Sequence, residues 1–107
     1  MSGFDKREEG FEKKFAHDEE LRFKAMARRN RLLGLWAAEK SGLSGADADA
    51  YAKTVVLADF DEPGDEDVYR KVRADFDAQG VRISDEDIRR AMNDLLAKAI
   101  DEIKAGT

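Results

Sequence analysis

No cysteine occurs in the chain. Disulfides, thiolate metal sites and a cysteine nucleophile are therefore excluded. There is one proline, Pro63, and one histidine, His17. A single proline leaves long stretches free to be helical, and a lone histidine has no second histidine with which to share a metal. No long apolar run exists: the longest, around "LLGLWAA", is broken by Gly34 and is far too short to span a bilayer. The opening "MSGFDKREE" has none of the apolar stretch of a secretory leader, so a soluble, cytoplasmic protein is expected. Net basicity is also missing. At a formal charge of −5, nucleic acid and anionic membrane are disfavoured as partners.

What is present is charge of both signs. Charged residues make up 40% of the 107, well above the usual quarter, which implies a small core under a charged surface. The length suits one domain. Frequent Ala, Glu, Lys, Arg and Leu point to helix. Residues 18–40 hold six bases against four acids, and residues 41–80 hold ten acids against four bases. The basic first helix is thus expected to pack beside the acidic middle or to face an acidic partner.

Apolar periodicity predicts four helices. The first covers about residues 18–40, with Leu21, Ala25, Leu32, Leu33 and Trp36 on one face, Met26 at its margin and Gly42 as its stop. Ser44 can cap a second over about 46–61, whose apolar set is Ala48, Tyr51, Ala52, Val55, Val56 and Phe60. Pro63-Gly64 breaks it. Asp65 can cap a third, carrying Val68, Val72 and Phe76 and ending at Gly80. Ser84 can cap a fourth, with Ile88, Ala91, Met92, Leu95, Ala99 and Ile103 as the clearest stripe. No segment of useful length alternates with period two. The expected fold is all-α, a four-helix bundle over residues 18–107, preceded by a flexible arm over 1–17.

That arm poses the main question. Phe4, Phe11 and Phe15 are spaced by seven and four residues, so on a helix they lie within about 40° of one another. The rest is charged all round and interrupted by Gly10. Such a helix is marginal alone. Either the first helix starts early and the rings cover the bundle, or they anchor the arm in a groove of another protein.

Other constellations carry less. Arg28, Arg29 and Arg31 in "RRNR" suit phosphate oxygens, but no aromatic stacking platform is interleaved and the whole chain is acidic, so a solvated or salt-bridged helix face is the preferred reading. His17 in "HDEE" reads as a surface residue near a helix start or as a pH-sensitive joint. "DFDAQGVRISDE", beginning at Asp75, places Asp75, Asp77, Gln79, Gly80 and Glu86 at the ligand and glycine positions of a calcium loop. Against that reading, Gln replaces the usual acid or Asn at the fifth position, and Arg82 takes the apolar eighth. "DFDEPGDEDVYR", beginning at Asp59, ends in Arg70, a cation where a bidentate Glu should close the site. No Gly-rich phosphate loop appears. No catalytic residue, cofactor or metal is assigned.

The order of residues adds a resemblance. "FDKREEGFEKKFAHDEELRFKAMARRNRLLGLWAAEKSG", from Phe4 to Gly42, resembles the N-terminal half of the zeta subunit family, small inhibitors of the F-type ATP synthase in alphaproteobacteria. "KFAHDEELRFKA" followed by "ARRNRLLGLWAAE" carries most of it. "YAKTVVLADFDEPGDEDVYRKV", from Tyr51 to Val72, is similar to the family too, and the fourth helix agrees in pattern. The resemblance implies a four-helix bundle with a mobile inhibitory arm and no enzymatic activity of its own. The arm would become helical on entering an α/β interface of the catalytic head beside the γ rotor, blocking rotation in the hydrolysis direction. Its residues here would be Phe4, Asp5, Arg7, Glu8, Phe11, Glu12, Lys13, Phe15 and His17, with "DEELRFKA" as the hinge. Gly10 departs from the good helix former expected there, weakening a bound helix by about 1 kcal/mol. The resemblance also implies a bacterial cytoplasmic protein, monomeric when free and peripheral on the membrane-bound synthase. Some members are associated with ATP or ADP; Arg28, Arg29 and Arg31 are the candidates for such contacts. The competing reading is a nucleotide- or calcium-responsive helical module without inhibitory activity.

Overall fold

In a computed structural model the chain forms four helices: α1 (Ser2–Lys40), α2 (Gly45–Ala58), α3 (Asp65–Gln79) and α4 (Asp85–Lys104). The structure describes the backbone of residues 2–59 and 65–106 and the side chains of residues 19–59 and 65–106. The fold is all-α, with no strand among the described residues. Phe60, expected on α2, lies outside them, and so do the arm's side chains and its expected mobility.

Helix boundaries follow local chemistry. α1 begins at Ser2 rather than near residue 18; one glycine costs a helix only about 1 kcal/mol and does not by itself end it. At its other end Leu43 N–H donates to Ala38 O (2.8 Å) and Gly42 N–H to Glu39 O (3.1 Å), with Gly42 at φ +81°. α3 ends in the same way, through Val81 N–H to Phe76 O (2.9 Å) and Gly80 N–H to Asp77 O (3.3 Å), with Gly80 at φ +71°. These are Schellman closures, in which a left-handed residue, almost free of strain for glycine, lets the chain satisfy its last carbonyls. Ser84 caps α4, its Oγ accepting from Asp87 N–H at 3.1 Å. Ser44 has cap geometry at α2 but makes no side-chain bond. Asp65 is the first helical residue of α3 rather than its cap. Asp65, Glu66 and Asp67 open α3, and Asp85, Glu86 and Asp87 open α4; both triplets complement the positive helix end.

The core comprises Leu33 and Ala37 of α1, Val55 of α2, Val68, Val72 and Phe76 of α3, and Ile88 and Met92 of α4. Burying each larger side chain contributes about 1.5–3 kcal/mol. Trp36 packs its edge against Phe76, with ring centroids 5.7 Å apart at 71°. The α3 stripe is fully buried, as its period predicts, and Ile88, Met92 and Ala99 carry the α4 stripe inward. On α1, Ala25 and Leu33 are buried while Leu21, Met26, Leu32 and Trp36 are only half-buried. Ala37 and Ala38, absent from the expected face, are fully buried.

Candidate functional site

α1 carries every arm and arginine candidate, so the geometry around it decides what they do. The nine arm candidates, from Phe4 to His17, lie outside the described side chains. The three arginines lie within them and do not converge. Arg29 is 1% exposed. Its Nη2 donates to Asp65 Oδ1 at 2.8 Å and its Nε to Asn30 Oδ1 at 2.8 Å. This buried cation ties α1 to the first residue of α3, realising the expected contact between basic helix and acidic middle. Arg28 is half-buried and engaged. Arg31 is exposed on another side of the helix, where it lines a groove with Asp49, Ala52, Lys53, Val56 and Leu57. Arg29 is thus committed to Asp65, while Arg31 stands in the groove.

The first calcium-loop candidate is divided by the fold. Asp75 and Asp77 belong to α3, and Asp85 and Glu86 to α4. The aspartates are already satisfied by donors. Asp75 Oδ2 accepts from Tyr51 OH (2.8 Å) and Lys71 Nζ (3.0 Å). Asp77 Oδ1 accepts from Arg73 Nε (3.2 Å) and Nη2 (2.8 Å), and Asp85 Oδ1 from Arg73 Nη1 (3.0 Å). Arg73 Nη1 also donates to Ile83 O at 2.7 Å, so one guanidinium fastens the α3–α4 turn. In the second candidate, Arg70 pairs with Asp67 at 3.6 Å. Among the described residues no three acids or histidines stand where they could hold a metal ion, and no helix is long and apolar enough to cross a membrane.

Ionisation follows these contacts. The Tyr69 hydroxyl and the Arg73 guanidinium, both hydrogen-bonded to Asp85, hold its carboxyl below the usual aspartate range. The same bond to Asp85 pushes the Tyr69 phenol up. Burial, then the hydrogen bond to Asp75, raises the Tyr51 phenol well above its ordinary value.

Two α1 features escape a reading by hydrophobic pattern. Gly34, which appeared only to interrupt an apolar run, sits against α2. A Cβ there would stand 2.5 Å from Ala52 Cα and 3.0 Å from its Cβ. Asn30 is 1% exposed, and its Nδ2 has no hydrogen-bond partner among the described residues. A small residue inside an apolar run is the only signal that could have marked the first; a polar residue between charged neighbours gives none for the second.

The whole chain can be set beside known proteins on this footing. The family model described as ATPase inhibitor subunit zeta matches residues 1–102. A solution NMR structure of a protein 45% identical superposes with a TM-score of 0.72, over 81% of this chain and 99% of that one. No curated protein matches. The family match runs through the arm, the arginine-bearing segment and all four helices, and the chain belongs to the ATPase inhibitor subunit zeta family.

Proposed function

We propose that this chain inhibits ATP hydrolysis by an F-type ATP synthase, and that its N-terminal arm is the inhibitory element. The arm, residues 1–17, enters an α/β interface of the catalytic head as a helix and reaches the γ rotor. The bundle, residues 18–107, remains outside. The observation that carries this reading is the extent of the family match, which takes in the arm and the bundle together. The register of α1 supports it. Phe11 and Phe15 each stand 18 residues, about five full turns, before Arg29 and Leu33. Their positions on the helix therefore share a line with side chains that α1 buries in the bundle, and a groove on the enzyme is what would bury the two rings. Phe4 extends the same stripe, and Asp5, Arg7, Glu8, Glu12, Lys13 and His17 supply polar contacts around it. The chain acts from the cytoplasm as a peripheral, monomeric partner of the α, β and γ subunits, with no catalytic group of its own.

The test is titration of the chain against a purified alphaproteobacterial enzyme. Removing residues 1–16 abolishes inhibition while circular dichroism shows the helices retained. Phe11→Ala and Phe15→Ala each weaken inhibition about thirtyfold, the affinity equivalent of losing one ring's burial. ATP synthesis is affected less than hydrolysis, because a wedge in a rotary machine blocks one direction and is expelled in the other. Undiminished inhibition by the truncated chain would overturn the reading.

A further inference from the structure

Among the described residues of the bundle, two large apolar side chains stand in solvent: Phe23, 69% exposed, and Leu57, 60% exposed. Each has a geometric cause. α1 and α2 run antiparallel through the turn at 41–44, with Gly34 against Ala52. Phe23 lies eleven residues before Gly34, which returns it to within about 20° of the same face of α1. It continues the line that faces α2. The register set by Gly34 and Ala52, however, places the end of α2 at the level of residue 28. Phe23 stands about 7 Å further along the axis, past α2. Leu57 occupies the outer side of α2, in one exposed row with Lys53 and Asp49. Between that row and Arg31 of α1 lies a groove of about 490 Å³ with Ala52 and Val56 in its lining. Arg31 and Lys53 make no ion pair among the described residues.

We propose that this outer α1–α2 groove, with Phe23 at its open end, is a second docking surface for the ATPase, taking an acidic segment of the catalytic head that carries an apolar anchor. The proposal rests on the inhibitor reading above. Charge selects the occupant. The groove presents two cations against one carboxylate on a chain of net charge −5, so its local sign opposes that of the whole molecule. A second copy fits poorly, because a groove-to-groove contact would bring together two surfaces of the same net positive sign. Position agrees with charge. Phe23 follows Phe15 by eight residues, about 12 Å along the helix, so an enzyme that receives the arm lies beside the open end of the groove. The two surfaces divide the work: the arm stops the rotor, and the groove holds the bundle against the head and raises the arm's local concentration.

Full-length variants test this through inhibition curves, direct binding of labelled chain to the enzyme, and melting. Phe23→Asp and Leu57→Asp should each raise the concentration for half-inhibition about tenfold. The inhibited plateau and the melting temperature should stay as in the unaltered chain. Arg31→Glu with Lys53→Glu should weaken binding and flatten its salt dependence. The full-length double variant Phe11→Ala/Phe15→Ala is the control for the arm. If it loses inhibition while every groove variant matches the unaltered chain, the groove proposal is overturned and the arm reading stands. If it inhibits normally, the arm reading fails, and the groove is judged on binding alone: unchanged binding of Leu57→Asp overturns it. If an aspartate variant melts early, Leu57→Ser replaces it under the same criteria. Sedimentation showing a dimer that Leu57→Asp dissolves would make the groove a self-association surface and would also overturn the proposal.

Discussion

Where α1 meets α2, the groups in contact are small. Gly34 lies so close to Ala52 that no Cβ fits between them, and Ala37 and Ala38 of the same helix are fully buried. Where α3 meets α4, long charged side chains join the helices above their shared apolar core. Arg89 pairs with Glu66 at 2.8 Å and lies 3.8 Å over the Tyr69 ring, while Arg73 reaches Asp85. The two seams respond differently to change. Backbone-to-backbone contact has no slack, so one added methyl must move a helix. Extended ion pairs on flexible stems adjust, and solvent screens them.

The largest effect is therefore expected at Gly34. Gly34→Leu should destabilise the bundle by about 3 kcal/mol or more through overpacking, with a thermal midpoint lower by roughly 4–8 °C per kcal/mol. Gly34→Ala should cost less, because the better helix propensity of alanine returns up to about 1 kcal/mol. A thermal melt of both variants checks this, and an unchanged midpoint for Gly34→Leu would mean that the seam opens freely.

Next comes Arg29, which joins the α1 seam to α3. Arg29→Ala removes a cation that is 1% exposed and strands the Asn30 carbonyl oxygen it satisfies. Asp65 is 47% exposed in its side chain and can be rehydrated, so the expected cost is about 2–3 kcal/mol, below that of a fully buried pair. Arg29→Lys should rescue only part, because an ammonium cannot reproduce two separately aimed donors. Urea unfolding of the three chains ranks them.

These two residues mark what the sequence conceals. The α3 and α4 stripes were legible because Val68, Val72, Phe76, Ile88 and Met92 repeat at helical spacing and all point inward. The stops at Gly42 and Gly80 were legible because a left-handed closing residue favours glycine. Gly34, Ala37 and Ala38 were not, since small residues scarcely register in a hydrophobic pattern although a close seam depends on them. Arg29 reads, like Arg31, as part of one solvated or salt-bridged helix face, because its particular partnership with Asp65, 36 residues away, leaves no local trace. The sequence pattern starts α1 near residue 18, against Ser2 in the structure, for a related reason: charge all round and a glycine argue against an isolated helix, not against one continuous with a packed helix. The arm was singled out by three phenylalanines at helical spacing, while the groove beside it depends on the α1–α2 register, which no linear pattern states.

Tyr51 tests a smaller tie, between α2 and α3. Tyr51→Phe removes the hydrogen bond to Asp75 and should cost about 1 kcal/mol, discounted for partial exposure. Its pH signature is distinctive. The folded phenol's pKa lies above its ordinary 10.0, so its contribution is complete below pH 10 and is lost as pH rises through the folded value. The alkaline limb of a stability–pH curve should therefore be shallower in the variant.

The smallest effect belongs to the charged seam, at Asp85. Its carboxyl is held below the ordinary 3.8 by the Tyr69 hydroxyl and then by Arg73. A depressed carboxylate contributes stability that is complete above the unfolded value and is lost as pH falls through the folded one. The window accordingly opens near pH 3.8 and extends downward. Asp85→Asn should lower stability slightly at neutral pH and flatten the acid limb below pH 3.8. Molar salt should shrink the difference between the two chains, since Arg73 and Asp85 meet at the surface, where the screening length falls to about 3 Å. Gly34→Leu should show no such salt or acid dependence. If Asp85→Asn proved as damaging as Gly34→Leu, or if salt left its effect untouched, the α3–α4 seam would depend on more than screened surface charge. The apolar contacts of Phe76 and Ile88 beneath it would then be coupled to the Arg73 anchor.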